Sequence, residues 1–352
     1  MIRMPRAASA VLAGALVLGL AVGTTATASA TPADRTGNWL DSQLTKGLIH
    51  NDQFKSDDYG LTADTAIALS AVGGHRKAVR EIRAALGKRV DSWTTGVDFG
   101  STDVYAGSVA KAVVLAQTIG ANPKSFGGVN LVNRLNRLVS TKPGTVGRVQ
   151  DKSSYADYAN TLGQAFAAAG LANAHSAKAP AVVGFLLKQQ CKGGFFRLDL
   201  AAATAKDQTC DGAAAKNRVP DTDATALAVI NLQSIKDPSP RIKRAIAAGN
   251  QWLLRKQAAN GSFGGSRTTK AANANSTGLA AWALGQAGEC KPAQRAARWV
   301  SKLQFHGAIA YDAAALRTAK EDGITTEKRD QWRRASAQAA PGLTYLAGCA
   351  AS

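Results

Sequence analysis

Few residues in this chain have the type and setting to do chemistry. Asp221 and Asp223 stand two apart at the start of an apolar segment, and Asp64, Asn160 and Asn275 open similar segments. Asp103 and Tyr158 fall in the polar stretches between segments. Asp, Asn, Ser and Thr can each accept hydrogen bonds from the free N–H groups of a helix start, so the expected role of Asp64, Asn160, Asp223 and Asn275 is to cap helices. Only four histidines are present, and none is near another or near a cysteine in metal-ligand spacing, so no metal and no cofactor are expected.

The segments that position these residues repeat. Phe185, Trp252 and Trp299 are each followed five residues later by glutamine, at Gln190, Gln257 and Gln304, and soon after by glycine. A weaker copy starts at Trp39. Each copy has a second half that is rich in small apolar residues, as in residues 64–74, 223–232 and 275–288, with diverged copies from Asn160 and Ser108 and a faint sixth between Asp322 and Cys349. Apolar residues on every side mean a helix buried all round, whereas Ile242, Ile246 and Leu253 recur at helical spacing among arginines and lysines, the mark of a surface helix. Alternating one-sided and fully buried helices require two concentric layers, and helix pairs that cannot bury their apolar faces alone must stack. The expected fold is all-α, an α/α toroid of about six helix pairs closed into a ring.

The N-terminus has the three parts of a secretory signal: Arg3 and Arg6, an apolar run over residues 11–22, and small residues ending at Ala30. The expected organisation is a signal peptide over residues 1–30 and a single toroid domain over residues 31–352, secreted and with no membrane span after cleavage. The last residues, 348–352, hold neither a sortase-type signal nor an apolar anchor. An even number of cysteines in an exported chain reads as two disulfides. Cys191 and Cys210 flank a loop holding Gly and Asp, which pairs them with each other and Cys290 with Cys349, although sequence alone permits three pairings.

The chain carries 43 basic and 24 acidic residues, a formal net charge of +19, of which Arg3 and Arg6 leave with the signal. Such a field suits an anionic polymer of the cell envelope, but the charges are scattered, as on solvated outer helices. Clusters such as Arg241, Lys243 and Arg244 lack interleaved aromatics, which argues against nucleic acid.

The Gln–Gly–aromatic turn followed by a Thr-Ala or Thr-Gly apolar helix resembles the prenyltransferase and squalene-oxidase repeat superfamily, most clearly from Phe185 to Tyr311. That resemblance implies the toroid but not one chemistry, since the superfamily includes terpene cyclases, protein prenyltransferase β subunits, thioester domains and the helical domain of vitamin B12 carriers. Class II terpene cyclases protonate an alkene with the middle carboxyl of an Asp-x-Asp-Asp-Thr-Ala motif. Here Asp221, Thr222, Asp223, Ala224, Thr225 and Ala226 keep the frame and put Asp223 in the middle, but Ala224 replaces the last acid. Asp64-Thr65-Ala66 and Ser276-Thr277-Gly278 take the same place in other repeats, and such cyclases resemble two rings with a site between them. The prenyltransferase zinc set is missing, and Gly288-Glu289-Cys290-Lys291 has the wrong order for a thioester. Toroid glycosidases use acid pairs and rim aromatics, here Tyr105, Tyr155, Tyr158, Phe195 and Tyr311 among others, most of which suit packing between helices.

The function expected from these residues is a secreted, non-catalytic binding protein, comparable to a B12 carrier, holding a small molecule or envelope component near Asp64, Asp103, Tyr158, Asn160, Asp221, Asp223 and Asn275. Its alternatives are an enzyme of terpenoid or glycan chemistry using Asp223 or another rim carboxylate, and a basic envelope-interaction protein.

Overall fold

The structure, a computed structural model, describes residues 29–349. Most of the signal segment expected over residues 1–30, including Arg3, Arg6 and the apolar run, lies outside the described residues. From Thr31 onward the chain packs as one unit.

Six helix pairs follow along the described chain. The first is α1 (Pro32–Ser42) with α2 (Tyr59–Val72), and the second is α3 (Arg76–Lys88) with a short α4 (Val90–Thr94) and α5 (Ala106–Thr118). Next come α6 (Leu131–Asn136) with α7 (Thr161–Asn173), α8 (Ala179–Lys188) with α9 (Thr222–Gln233), and α10 (Pro240–Lys256) with α11 (Ala274–Gln286). The last comprises α12 (Cys290–Ser301), α13 (Ala313–Asp322) and α14 (Thr326–Leu343). Within the inner ring α2, α5, α7, α9, α11 and α14 pack on one another in that order, and α14 returns to α2. The α/α toroid is therefore closed, as expected from the repeat.

The two layers follow from composition. Outer helix α3 buries Ala78, Ile82 and Leu86, one side chain per turn, and turns its charged residues to water. Burying Ile82 and Leu86 contributes roughly 2 kcal/mol each. Inner helices touch through small residues. On α11, a Cβ at Gly278 would lie 2.4 Å from the Ala339 backbone of α14, so only glycine lets these two axes approach.

The repeated glutamine joins each outer layer to the next. Through Nε2, Gln190 donates to the Ala245 carbonyl on α10 at 2.9 Å and Gln257 to the Pro292 carbonyl on α12 at 2.9 Å. Gln304 donates to the Pro32 carbonyl on α1 at 2.8 Å, so the last copy of the motif closes the ring on the first helix. The companion glycine completes the contact. Gly307, at φ 90°, follows His306 in the two-residue turn between β4 (Gln304–Phe305) and β5 (Ala308–Ile309), and a Cβ there would stand 2.6 Å from the Arg35 carbonyl.

Both expected disulfides are formed, Cys191 to Cys210 and Cys290 to Cys349. Among the described residues no helix is long and apolar enough to cross a membrane.

Candidate active site

In four inner helices a hydroxyl or amide one turn in fixes the register against the preceding loop, and in α14 a hydroxyl further along does so. Thr62, Gln164, Thr225 and Thr277 accept the backbone N–H of Ile49, Val149, Phe196 and Phe263, each at 2.9 Å, and Ser336 accepts that of Ile309. Four residues earlier in the first four cases stands the true cap. Asp58 accepts from the Leu61 N–H, Asn160 from those of Leu162 and Gly163, Asp221 from that of Ala224, and Asn273 from that of Ser276. Capping by Asn160 agrees with the sequence expectation. Capping by Asp64, Asp223 and Asn275 does not, because their helices already have their caps at Asp58, Asp221 and Asn273.

Asp223 is therefore free of a structural duty at the helix start. Its neighbour Asp221 is saturated, taking the Ala224 N–H at 2.8 Å and the Ser266 hydroxyl at 2.6 Å. Asp223 Oδ1 is buried without a hydrogen-bond partner. Burial pushes the Asp223 carboxyl from 3.8 up to about 6; the nearby Ser276 hydroxyl opposes the rise and the Asp221 charge adds to it. The Tyr311 phenol, raised by burial and then by the Asp223 and Asp312 charges, stands close to it.

Asp223 lies one turn above Leu227 on the same face of α9, and Leu227 and Ile230 line a cavity of about 800 Å³ down the lumen of the ring. The other walls are Ile67, Val114, Phe166, Leu279 and Trp282. At its far end stand Thr118, Ser234, Gln286 and Thr344, from the C-terminal ends of the inner helices. Among the described residues lining it only Asp64 and Lys111 are charged, and they bind each other at 2.8 and 3.0 Å. The Lys111 ammonium also sits 5.7 Å from the Phe166 ring centre. Asn275 stands one turn above Leu279 on α11, its Oδ1 buried and unpartnered.

The structure thus places Asp64 and Asn160 in the cavity wall, and Asp223 and Asn275 one turn along their helices from the wall residues Leu227 and Leu279 but not among the residues that line it. Asp103 is buried in a loop, accepting from the Ser153 hydroxyl at 2.9 Å and the Ser154 N–H at 3.1 Å. Tyr158 is exposed beside a smaller recess of about 230 Å³. Asp151 caps α5 from outside through the Ala106 N–H at 2.6 Å, and burial pushes its carboxyl up. Burial also pushes Asp157 up, but its bonds to Arg148 and to backbone N–H groups outweigh this and hold it below the usual range. Lys111, Phe166 and Trp282 were not singled out from sequence. Their signal is a bulky or charged side chain in an inner helix otherwise built of small residues.

Nothing among the described residues groups three or more His, Cys, Asp or Glu as a metal site would. The fold and its lumen define a terpenoid-cyclase-like α/α toroid. No protein-family model and no curated protein sequence matches the chain. Solved structures do. The type II terpene cyclase MstE from Scytonema, without ligand, superposes with a TM-score of 0.63 at 16% identity, covering 90% of this chain and 97% of that one. A protein from Actinoplanes gives 0.63 at 18%, covering 90% and 98%. A glycosidase in complex with glucose gives 0.54 at 12%, covering 90% and 97%.

Two expectations are corrected by these findings. A cyclase need not have two rings, since nearly the whole MstE chain matches this single toroid. The expectation of a non-catalytic binding protein is overturned as well. The neighbours of stated activity are enzymes, the glycosidase and MstE, the latter solved with its substrate geranylgeranyl dihydroxybenzoate and its product merosterolic acid A, and Asp223 has the burial of an acid rather than the bonds of a cap.

Proposed function

We propose that this protein is an exported enzyme that uses Asp223 as a general acid on an isoprenoid held in the lumen of a single toroid domain, residues 31–352. The observation that carries this reading is the Asp223 carboxyl, with one oxygen buried and unpartnered, kept neutral up to about pH 6 on α9 one turn from Leu227, which lines the lumenal cavity. A neutral carboxyl there can deliver its proton to a carbon–carbon double bond. The π electrons form the new C–H bond, a carbocation is left on the neighbouring carbon, and Asp223 is left as carboxylate. Further double bonds of the same chain then close on the cation, with the aromatic wall residue Trp282 available to stabilise its charge. Loss of a proton from the final cation to water ends the sequence, and solvent reprotonates Asp223.

A glycosidase reading needs a second free carboxyl as nucleophile or base at a spacing of about 5 to 9.5 Å. The acid in the cavity wall, Asp64, is neutralised by Lys111. The acyclic substrate of MstE, a geranylgeranyl chain on an aromatic acid, is the first class to try. Export is supported by the signal-like sequence of residues 1–30 and by two disulfides.

The test is incubation of residues 31–352 with acyclic polyprenyl arenes, alcohols and hydrocarbons, with cyclised products read by mass spectrometry. Turnover that disappears in Asp223→Asn with the fold intact supports the reading. Equal turnover by Asp223→Asn, or no cyclised product from any of these substrates, overturns it.

A further inference from the structure

Among the described residues the strongly exposed large apolar side chains are Phe54, Val97, Phe99, Val146, Tyr155 and Tyr158. They are not scattered. All stand in the three consecutive connections that lead into α2, α5 and α7, at the rim where the inner helices begin. Phe99 and Tyr155 are 83% and 85% exposed. The connections adjoin one another: Val104 bridges to Lys152, and Asp57 and Asp98, from the first and second connections, both raise the phenol of Tyr59 after burial itself. Exposed aromatics are normal singly, but an arc of them is a surface built to meet something.

Charge identifies the partner. In the same connections the acids are satisfied: Asp52 by Arg329, Asp57 by His50, Asp98 by the Ser92 hydroxyl, and Asp157 by Arg148. The exposed Lys55, Lys142 and Lys152 make no ion pair among the described residues. Exposed aromatic side chains and exposed lysines without ion pairs in the same three connections fit the boundary of an anionic bilayer, where rings sit at headgroup depth and ammonium groups meet lipid phosphate. The arc also leads inward. The recess beside Tyr158 and the lumen share Gly107, Ser108, Asn160 and Gly163 in their walls, so the aromatic face and the large cavity are neighbours.

We propose that this aromatic arc docks the protein on an anionic lipid bilayer, with the recess beside Tyr158 facing the lipid. Docking does not depend on the enzyme reading. Only the value of the recess as a passage for an apolar substrate rests on it.

The experiment is vesicle flotation of residues 31–352 without any substrate, using phosphatidylcholine alone and phosphatidylcholine mixed with phosphatidylglycerol. Binding to the mixed vesicles is expected, with a drop of about tenfold or more in the combined variant Phe54→Ser, Phe99→Ser, Tyr155→Ser and Tyr158→Ser. These side chains are exposed, so its melting temperature should match the parent. A comparison variant on the outer face of α10, Arg241→Gln with Lys243→Gln and Arg244→Gln, should keep its binding. Failure of the parent to float with mixed vesicles overturns the proposal and leaves a protein partner for the arc. Equal loss in the α10 variant also overturns it, since binding would then report net charge alone.

Discussion

Asp221 and Asp223 stand two residues apart at the start of α9, and only Asp221 is bonded to the helix it begins. One acid is held by the Ala224 N–H and the Ser266 hydroxyl, and the other has a buried oxygen with no partner. This division of labour makes the pair legible as a cap beside an acid.

The acid should show itself in stability before any substrate is known. The Asp223 carboxyl is raised from 3.8 to about 6 on folding, so its neutral form is the one the native state favours. That contribution is complete below the unfolded value, is lost as pH rises through about 6, and is then constant. Ionised Asp223 therefore costs the fold on the order of 2–3 kcal/mol above that range. Asp223→Asn should melt higher than the parent at pH 8 and level with it near pH 4 in calorimetry. A variant that melts lower at pH 8 would mean the carboxylate has a partner.

The cap predicts the opposite sign. Asp221→Ala removes the acceptor for the Ala224 N–H and leaves the Ser266 hydroxyl without its carboxylate, and should cost about 1–2 kcal/mol. Asp221→Asn should also lower the pH at which Asp223 ionises, because the Asp221 charge helps raise it. Carboxyl titration by NMR would read this directly.

The ring was legible in the sequence because its signals are local. An aromatic, a glutamine and a glycine recur at fixed offsets around Gln190, Gln257 and Gln304, and a surface helix such as α10 shows its apolar stripe. The site was less so, for two physical reasons. Asp64-Thr65 and Asp223-Ala224-Thr225 look equivalent as strings, yet the loop bonds to Thr62 and to Thr225, so the repeats are offset from the apparent match and Asp64 sits about one turn deeper than Asp223. Nor can periodicity tell which side of an all-apolar helix faces a lumen rather than a neighbour. Phe166 and Trp282 became wall residues only when the ring closed.

Ring closure is itself testable. Gln304 donates to both the Pro32 carbonyl and the Thr36 hydroxyl at 2.8 Å, and Thr36 is fully buried. Gln304→Ala should cost about 1–3 kcal/mol by stranding buried acceptors, and should speed amide exchange in α1 ahead of the other outer helices. Exchange that rises evenly around the ring would show that this seam is no weaker than the rest.

The lumenal ion pair makes the last prediction. Lys111 and Asp64 are each about a quarter exposed, so their attraction is partly screened, but the surrounding wall of Ile67, Val114 and Phe166 leaves neither a substitute partner. Removing one partner is worse than removing both, because the survivor keeps its desolvation without its counter-charge. Lys111→Met should lose on the order of 1–2 kcal/mol, and adding Asp64→Leu should recover most of it. A double-mutant cycle by urea unfolding measures the coupling. If the double variant loses the sum of the two single effects, the pair does not act as a unit, and Asp64 would then be a lumenal carboxylate available for the acid pair that glycoside chemistry requires.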